Sequence, residues 1–207
     1  MKTQIAKVGS RGVDSLPFSQ GGTKNQAIEL ANSGIDFFAG YLGAINADRL
    51  NCLLDAGIAF MPVTFAAAYD GVKAVCECVN LGLPAGCTVW LDLEGMASYN
   101  MDPQILIAKI NQWAQRVIEG GYQPGLYVGS PQPLTADELY KLKVVRYWKA
   151  PSRVIDRNGK TYDGPGCGFC MYQCWPSIMW RDTGVFVDVD FIQQDFQGRL
   201  PTWVVNE

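Results

Sequence analysis

The stretch TVWLDLEG occupies residues 88–95 and contains the pattern that decides the fold. Its first six residues form an apolar run, which predicts a buried strand. Side chains two positions apart on a strand point to the same face. The aliphatic residues at positions 89, 91 and 93 therefore predict a face that packs against helices, whereas Asp92 and Glu94 share the opposite face with Thr88 and Trp90.

Similar apolar runs occur before and after this strand along the chain, and each predicts another strand. Amphipathic segments, which predict helices, separate the first five of these strands. The predicted strands are residues 12–18, 36–42, 58–65, 88–93, 125–129, 144–149, 169–175 and 185–191. Alternation of strand and helix predicts a parallel sheet with right-handed crossovers, and eight such strands predict a closed barrel. The last three strands are separated by segments rich in Gly and Pro. We therefore expect an α/β fold, a TIM-type barrel with eight strands and about five helices in (β/α)5β3 order.

The rival architecture is an open, doubly wound sheet. That fold normally carries a glycine-rich phosphate loop after its first strand. Here the first strand continues into DSLPFSQGG at residues 14–22, which matches neither G-x-G-x-x-G nor a P-loop. The sequence therefore favours the barrel.

The predicted helices carry recognisable start signals. Thr23 and Gln26 form a capping box, as do Thr135 and Glu138. The other starts are Asn46, residue 70 and the Asp102-Pro103 pair, with Pro at the first helical position. In the helix predicted at residues 70–81, spacing predicts a buried stripe of Val72, Val75, Cys76 and Val79.

Composition narrows the classes of function. The chain has 207 residues, 48% hydrophobic and 18% charged, which predicts a folded protein, and one domain over residues 1–207 is the simplest organisation. The net charge of −3 offers no basic stripe for nucleic acid. The absence of histidine excludes a Ser-His-Asp triad, so acid–base chemistry falls to Asp, Glu, Tyr, Lys or Cys. No cofactor is expected.

The start of the sequence, MKTQIAKVGS, has no apolar core of a secretory signal, and no stretch approaches a membrane span. We therefore expect synthesis in the cytoplasm with reduced thiols, followed by release to the cell envelope or carriage on a phage particle. The spacing of Cys167, Cys170 and Cys174 invites a metal site, but core packing is favoured over metal binding. Strand parity predicts that Cys170 and Cys174 face the helices.

Function in such a barrel is expected at the carboxyl ends of the strands. The carboxylates at predicted strand ends are Asp14, Asp92, Glu94, Asp188 and Asp190. A single such group more often caps a helix or holds a loop, whereas this number of carboxylates on three strands favours a functional cluster.

Aromatic and amide side chains near other strand ends resemble a sugar-binding site. They are Tyr41, Tyr127, Trp148 and Gln173, with Phe65 and Trp175, for which core packing is the alternative. Asp190 joins the substrate-binding candidates.

The residues quoted above resemble the lysozyme-like barrels of glycoside hydrolase family 25. Family 25 opens with a G-x-D strand, as GVD does at residues 12–14, and its fourth strand carries D-x-E, as DLE does at residues 92–94. YQCW at residues 172–175 and VDVD at residues 187–190 resemble its late strands. FAGYLG, PGLYVGS and RYWKA, at residues 38–43, 124–130 and 146–150, resemble the related glycoside-hydrolase-like DUF1906 domains.

The resemblance implies a glycosidase that acts on the glycan chains of peptidoglycan, such as a phage lysin. Glu94 would be the general acid and Asp92 would stabilise positive charge at the reacting carbon or an N-acetyl group acting in its place. Asp14 and one of Asp188 or Asp190 would position water and substrate, and Asp188 is the one in the family-like position. The alternatives are a catalytically silent barrel that binds a glycan or a protein, and a redox or metal protein that uses the cysteines.

Overall fold

The computed structural model describes residues 1–65, 69–94, 100–162, 165–180 and 185–207, with the backbone alone at residues 175–178 and 180. Eight strands form a closed barrel: β2 (Arg11–Asp14), β3 (Phe37–Tyr41), β4 (Ala59–Phe65), β5 (Thr88–Leu93), β6 (Gln123–Val128), β7 (Arg146–Lys149), β10 (Met171–Trp180) and β11 (Val185–Ile192). The run from β2 to β10 is parallel, and β11 closes the barrel antiparallel to both β10 and β2. The predicted barrel is confirmed.

The helices of the described residues number six and surround the barrel. They are α1 (Leu16–Gly21), α2 (Lys24–Asn32), α3 (Ala47–Asp55), α4 (Gly71–Asn80), α5 (Pro103–Glu119) and α6 (Ala136–Tyr140). The capping boxes at Thr23 and Thr135 form as predicted, and Asn46 and Asp102 cap α3 and α5. No helix among the described residues is long and apolar enough to cross a membrane.

The first strand is shorter than predicted. It ends at Asp14, and α1 occupies most of the residues assigned to its second half. Ser15 caps α1 by accepting a hydrogen bond from the Phe18 amide, and Pro17 lies in the first turn, where its missing N–H costs nothing. This helix start was missed, and it places Asp14 at the very end of its strand.

The buried stripe predicted for the α4 region is wrong. Val72 and Val79 are 56% and 62% exposed, and Cys76 is exposed. The buried residues of α4 are Gly71, Ala74 and Cys78. A Cβ atom at Gly71 would lie 2.6 Å from the carbonyl oxygen of Trp113 on α5. The two helices therefore pack through small residues, which lets their backbones approach more closely than valine would allow.

Two strands outside the barrel were also missed. β1 (Lys2–Ile5) pairs antiparallel with β12 (Thr202–Val205), and β12 pairs with β4 at Val204 and Phe60. The Thr202 amide donates to Thr88 Oγ1 at the start of β5, so β12 fits between β4 and β5 where those strands separate. We call β1, β12 and the Trp203 side chain the floor, because they cover the amino ends of the barrel strands. A further short pair, β8 (Val154–Ile155) and β9 (Thr161–Tyr162), lies in the segment before β10.

Two apolar layers hold the barrel together. The inner layer includes Trp90, Phe37 and Met61, and the outer layer, between strands and helices, includes Val89, Leu91 and Leu93. The predicted parity of β5 is therefore confirmed. It aims Asp92 into the barrel at the carboxyl end, above Trp90.

Candidate active site

A cleft with a volume of about 70 Å³ opens at the carboxyl ends of the barrel strands. Its walls are Asp14, Tyr41, Asp92, Glu94, Tyr127, Trp148, Gln173 and Asp188. The structure thus brings eight of the nine predicted site residues to one place. Seven of the eight barrel strands supply side chains to it, and Glu94 follows β5, which is the arrangement expected where strand ends converge.

Asp92 lies on the inner side of β5 and is only 7% exposed. Tyr41 donates its hydroxyl hydrogen to Asp92 Oδ2, with 3.3 Å between the oxygens, while Oδ1 has no hydrogen-bond partner among the described residues. Burial, and then the charge of Glu94, raise the pKa of Asp92 to about 7 against the opposing effect of the Tyr41 hydrogen bond. Asp92 therefore exchanges its proton near neutral pH.

Glu94 follows the last residue of β5 and is exposed at the rim of the cleft. Its side chain lies against Gly129, where a Cβ atom would come within 2.9 Å of Glu94 Cγ and 3.3 Å of Oε1. Glu94 also interacts with the Tyr127 hydroxyl, whose pKa is raised by burial and by the nearby carboxylate charges. Gly129 was missed as a site residue, although a glycine directly after a barrel strand was the available signal.

Antiparallel pairing of β11 with β2 places the remaining carboxylates. Asp188 lies opposite Asp14 at the carboxyl end of β2, and Asp190 lies opposite Gly12, two residues deeper. Asp188 accordingly lines the cleft, whereas Asp190 is fully buried beneath it and its Oδ1 accepts a hydrogen bond from Trp148 Nε1 at 3.0 Å. Asp190 thus lies below the cleft surface where contact with substrate was predicted, and its carboxyl supports the walls of the cleft.

Asp14 and Asp190 form a tightly interacting pair. Burial raises the pKa of both carboxyls, with the charge of Asp188 adding to the rise at Asp14 and the charge of Asp14 adding to it at Asp190. Two like charges in a buried site cannot both ionise cheaply, so the pair retains a proton. This proton can serve as a hydrogen-bond donor beside the cleft.

Gln173 connects the two sides of the cleft. Its Nε2 donates to Asp14 Oδ2 at 2.9 Å, and its Oε1 accepts from the Tyr127 hydroxyl at 2.8 Å. Both ends of the amide are therefore engaged within the protein. Gln173 positions Asp14 relative to Tyr127, whereas the sequence indicated a direct contact with substrate.

Some aromatic side chains at the cleft form its inner wall, and others lie at its exposed rim. Trp148 is 2% exposed and packs edge-on against Tyr127 and Trp90, so it forms the inner wall of the cleft. Phe65 is 48% exposed and stacks on Tyr41 with 4.4 Å between ring centroids, which excludes core packing for Phe65. The Trp175 side chain lies outside the described residues.

The three late cysteines do not share one environment. Cys170 packs with the inner layer of the barrel, contrary to the predicted parity, because it precedes β10 and its thiol turns toward the Tyr147 carbonyl oxygen. Cys174 packs against the outer layer, as predicted. Among the described residues, no group of three or more Cys, Asp or Glu side chains is arranged to hold a metal ion.

Comparison with known proteins shows the fold. The chain is similar to the Tat-secreted protein Rv2525c of Mycobacterium tuberculosis, with a TM-score of 0.60, 14% identity and coverage of 93% of this chain and 99% of that one. It is also similar to GHIP, a glycosyl hydrolase 25 of Streptococcus pneumoniae, with a TM-score of 0.58, 13% identity and coverage of 89% and 87%. A third similar structure is the spore cortex lytic enzyme SleM of Clostridium perfringens, with a TM-score of 0.57, 15% identity and coverage of 96% of this chain and 71% of that one.

No protein-family model and no curated protein matches the sequence. At these identities the likeness establishes a barrel of the kind found in glycoside hydrolase family 25 and extends over most of the described chain.

Proposed function

We propose that this protein is a glycoside hydrolase that cleaves the glycan chains of peptidoglycan, in the manner of a muramidase. The observation that carries the proposal is the pairing of a buried carboxyl, Asp92, with an exposed one, Glu94, at the end of a single strand. Glycosidases use two carboxyl groups in different environments, one to protonate the leaving oxygen and one to stabilise or attack the sugar carbon. Asp14 and Asp188 face this pair across the cleft.

Glu94 is the group placed to act as the general acid. It lies at the rim, where a glycosidic oxygen of a long chain can reach it, and Gly129 leaves room for its side chain. The Tyr127 hydroxyl lies beside it. A general acid must lie within hydrogen-bond reach of the oxygen that it protonates, and only the exposed member of the pair meets that requirement without movement of the barrel.

Asp92 acts on the sugar carbon. The charge of Glu94 is one cause of the raised pKa of Asp92. Its pKa of about 7 makes the ionised form accessible near neutral pH, and in that form Asp92 is the anion that stabilises positive charge at the reacting carbon.

Asp14 and Asp188 complete the reaction by holding water and substrate hydroxyls. The Gln173 amide forms hydrogen bonds with both Asp14 and Tyr127, so it links the two walls of the cleft. The descriptions of GHIP as a glycosyl hydrolase 25 and of SleM as a spore cortex lytic enzyme support this choice of substrate class.

The test is incubation of the protein with purified peptidoglycan, followed by mass spectrometry of the soluble products. We expect fragments with new reducing sugar ends. Walls of several chemotypes that release no fragments, yet bind the protein in a sedimentation assay, would replace this proposal with the catalytically silent binding module.

A further inference from the structure

A second cavity, with a volume of about 180 Å³, lies beside the cleft. Its apolar walls are Leu42, Phe65 and Trp113, and its charged walls are Asp70, Lys73 and Glu77. Phe65 stacks on Tyr41, which itself lines the cleft, so one aromatic pair separates the two cavities. The two cavities are therefore neighbours on either side of this pair.

The charges of this cavity come in both signs. Lys73 Nζ forms an ion pair with Glu77 Oε1 at 3.8 Å, and the Lys73 side chain is 68% exposed, so a ligand can reach the ammonium. The Glu77 side chain is 22% exposed and lies against Gly43, where a Cβ atom would meet Glu77 Oε1 at 3.0 Å. The left-handed backbone of Gly43, with φ of 79°, thus leaves room for a carboxylate that faces the cavity.

Side chains of both signs line this cavity, and each can pair with a charged group of opposite sign on a ligand. An ionised amine is attracted both by the carboxylates of Asp70 and Glu77 and by the exposed face of Phe65, while a carboxylate is attracted by Lys73. Ligands that carry both groups on a flexible chain are peptides. The apolar walls suit the aliphatic parts of such a chain.

We infer that this cavity binds the peptide branch of a glycan whose sugar chain occupies the cleft. The inference rests on the proposed function and deepens it, because it makes the enzyme selective for glycans that carry peptides over bare glycans. The aromatic pair Tyr41–Phe65 marks the point where the branch leaves the sugar chain.

Two substrates test the inference: soluble peptidoglycan glycan strands, and the same strands after an amidase has removed their peptides. The ratio of kcat/KM values, peptide-bearing over bare, is expected to be about 10 for the native protein, as one aromatic contact and one charge pair can supply. Glu77→Gln and Lys73→Met are each expected to lower this ratio about 3-fold. Phe65→Ala is expected to lower it further.

Phe196→Ala is the matched control. Phe196 is also an exposed phenylalanine, but it is anchored to Cys167, ahead of the amino end of β10, and should leave the ratio at the native value. A native ratio near 1, or variants that keep the native ratio, would overturn the inference and leave the proposed function intact.

Failure to cleave either substrate would instead contradict the proposed function. The inference is then decided by calorimetric titration with the stem peptide that the amidase releases. Binding to the native protein that is lost in Glu77→Gln supports the cavity as a peptide site, and absence of binding to the native protein refutes it.

Discussion

The floor and the cleft lie at opposite ends of the same strands and are filled in opposite ways. At the floor, the ring centroids of Trp203 and Phe37 lie 5.8 Å apart and the Thr202 amide donates to Thr88 Oγ1, while the buried polar atom without a hydrogen-bond partner among the described residues there is the neutral Trp203 Nε1. At the cleft, Asp92 is buried with one oxygen unpartnered, and burial raises the pKa of Asp14. Packing at the floor stabilises the folded state. The buried carboxyl groups of the cleft destabilise it, because burial removes them from water and raises their pKa values.

The stabilising role of the floor is tested most directly by removing its largest side chain. Trp203 is 4% exposed, so Trp203→Ala should lower the free energy of unfolding by about 3–5 kcal/mol, the usual cost of deleting a buried aromatic side chain. Denaturant unfolding measures the loss. Phe186→Ala, which truncates a side chain that is 55% exposed near the cleft, should cost less than about 1 kcal/mol. Equal losses for the two variants would show that the floor has no special role.

A substitution in the cleft should have the converse effect: it should lower turnover and leave the free energy of unfolding unchanged. Glu94→Gln keeps the shape of the exposed side chain but removes its proton, so kcat on peptidoglycan should fall about 100-fold or more, equivalent to about 2.7 kcal/mol in the barrier. Glu119→Gln, at an exposed position on α5, should retain native turnover. Turnover by Glu94→Gln at the native rate would remove Glu94 from the mechanism.

The cost of the buried carboxyl at the cleft is visible in the pH dependence of stability. The native pKa of Asp92, about 7, lies above its ordinary value of 3.8, so the folded state binds this proton more tightly than the unfolded chain. Its stabilising contribution is complete below pH 4 and is lost as the pH rises through 7. Asp92→Asn should therefore gain about 3–4 kcal/mol relative to the native protein between pH 4 and pH 8.

Urea unfolding at the two pH values measures this difference. Asp137→Asn, which alters an exposed carboxyl on α6, should show no comparable change between them. A gain for Asp92→Asn that is the same at both pH values would contradict the assigned pKa.

The smallest effect distinguishes the two aspartates of β11. Asp188→Asn removes a charge that lines the cleft, and kcat/KM should fall about 10-fold, or about 1.4 kcal/mol. Asp190→Asn replaces a buried carboxyl that already retains a proton and keeps the acceptor for Trp148, so its kcat/KM should fall less. Kinetic constants on one glycan substrate decide between them, and the opposite ranking would mean that Asp190 moves to the cleft surface.

The cleft could be predicted from local patterns, because strand parity and position at a strand end are properties of a few neighbouring residues. Parity was enough to place Asp92 and Glu94 on one face. It could not separate Asp188 from Asp190, which have the same parity, since only the pairing with β2 sets their depth. Likewise, the spacing of apolar residues along α4 could not show that its small residues, and not Val72 and Val79, face α5.

The floor could not be predicted, because it depends on contacts between the two ends of the sequence. Short runs such as KTQI at residues 2–5 carry no signal of their own, and their pairing with residues 202–205 has no local cause. Ser15 and Pro17 did carry a helix signal, but the apolar residues around them also fit a continued strand. Local sequence thus specified the strands that carry the cleft, whereas it did not specify the floor beneath them.

The pairing of Lys2 with Val205 also has a kinetic consequence. Contacts between such distant positions carry a high cost in loop-closure entropy and slow the folding of a chain. Since β12 is synthesised after all the other strands of this sequence, the gap between β4 and β5 stays uncovered on the ribosome while the rest of the barrel assembles. Unpaired edges of this kind invite intermolecular pairing. The period between synthesis of β5 and docking of β12 is therefore when this chain is most prone to aggregate.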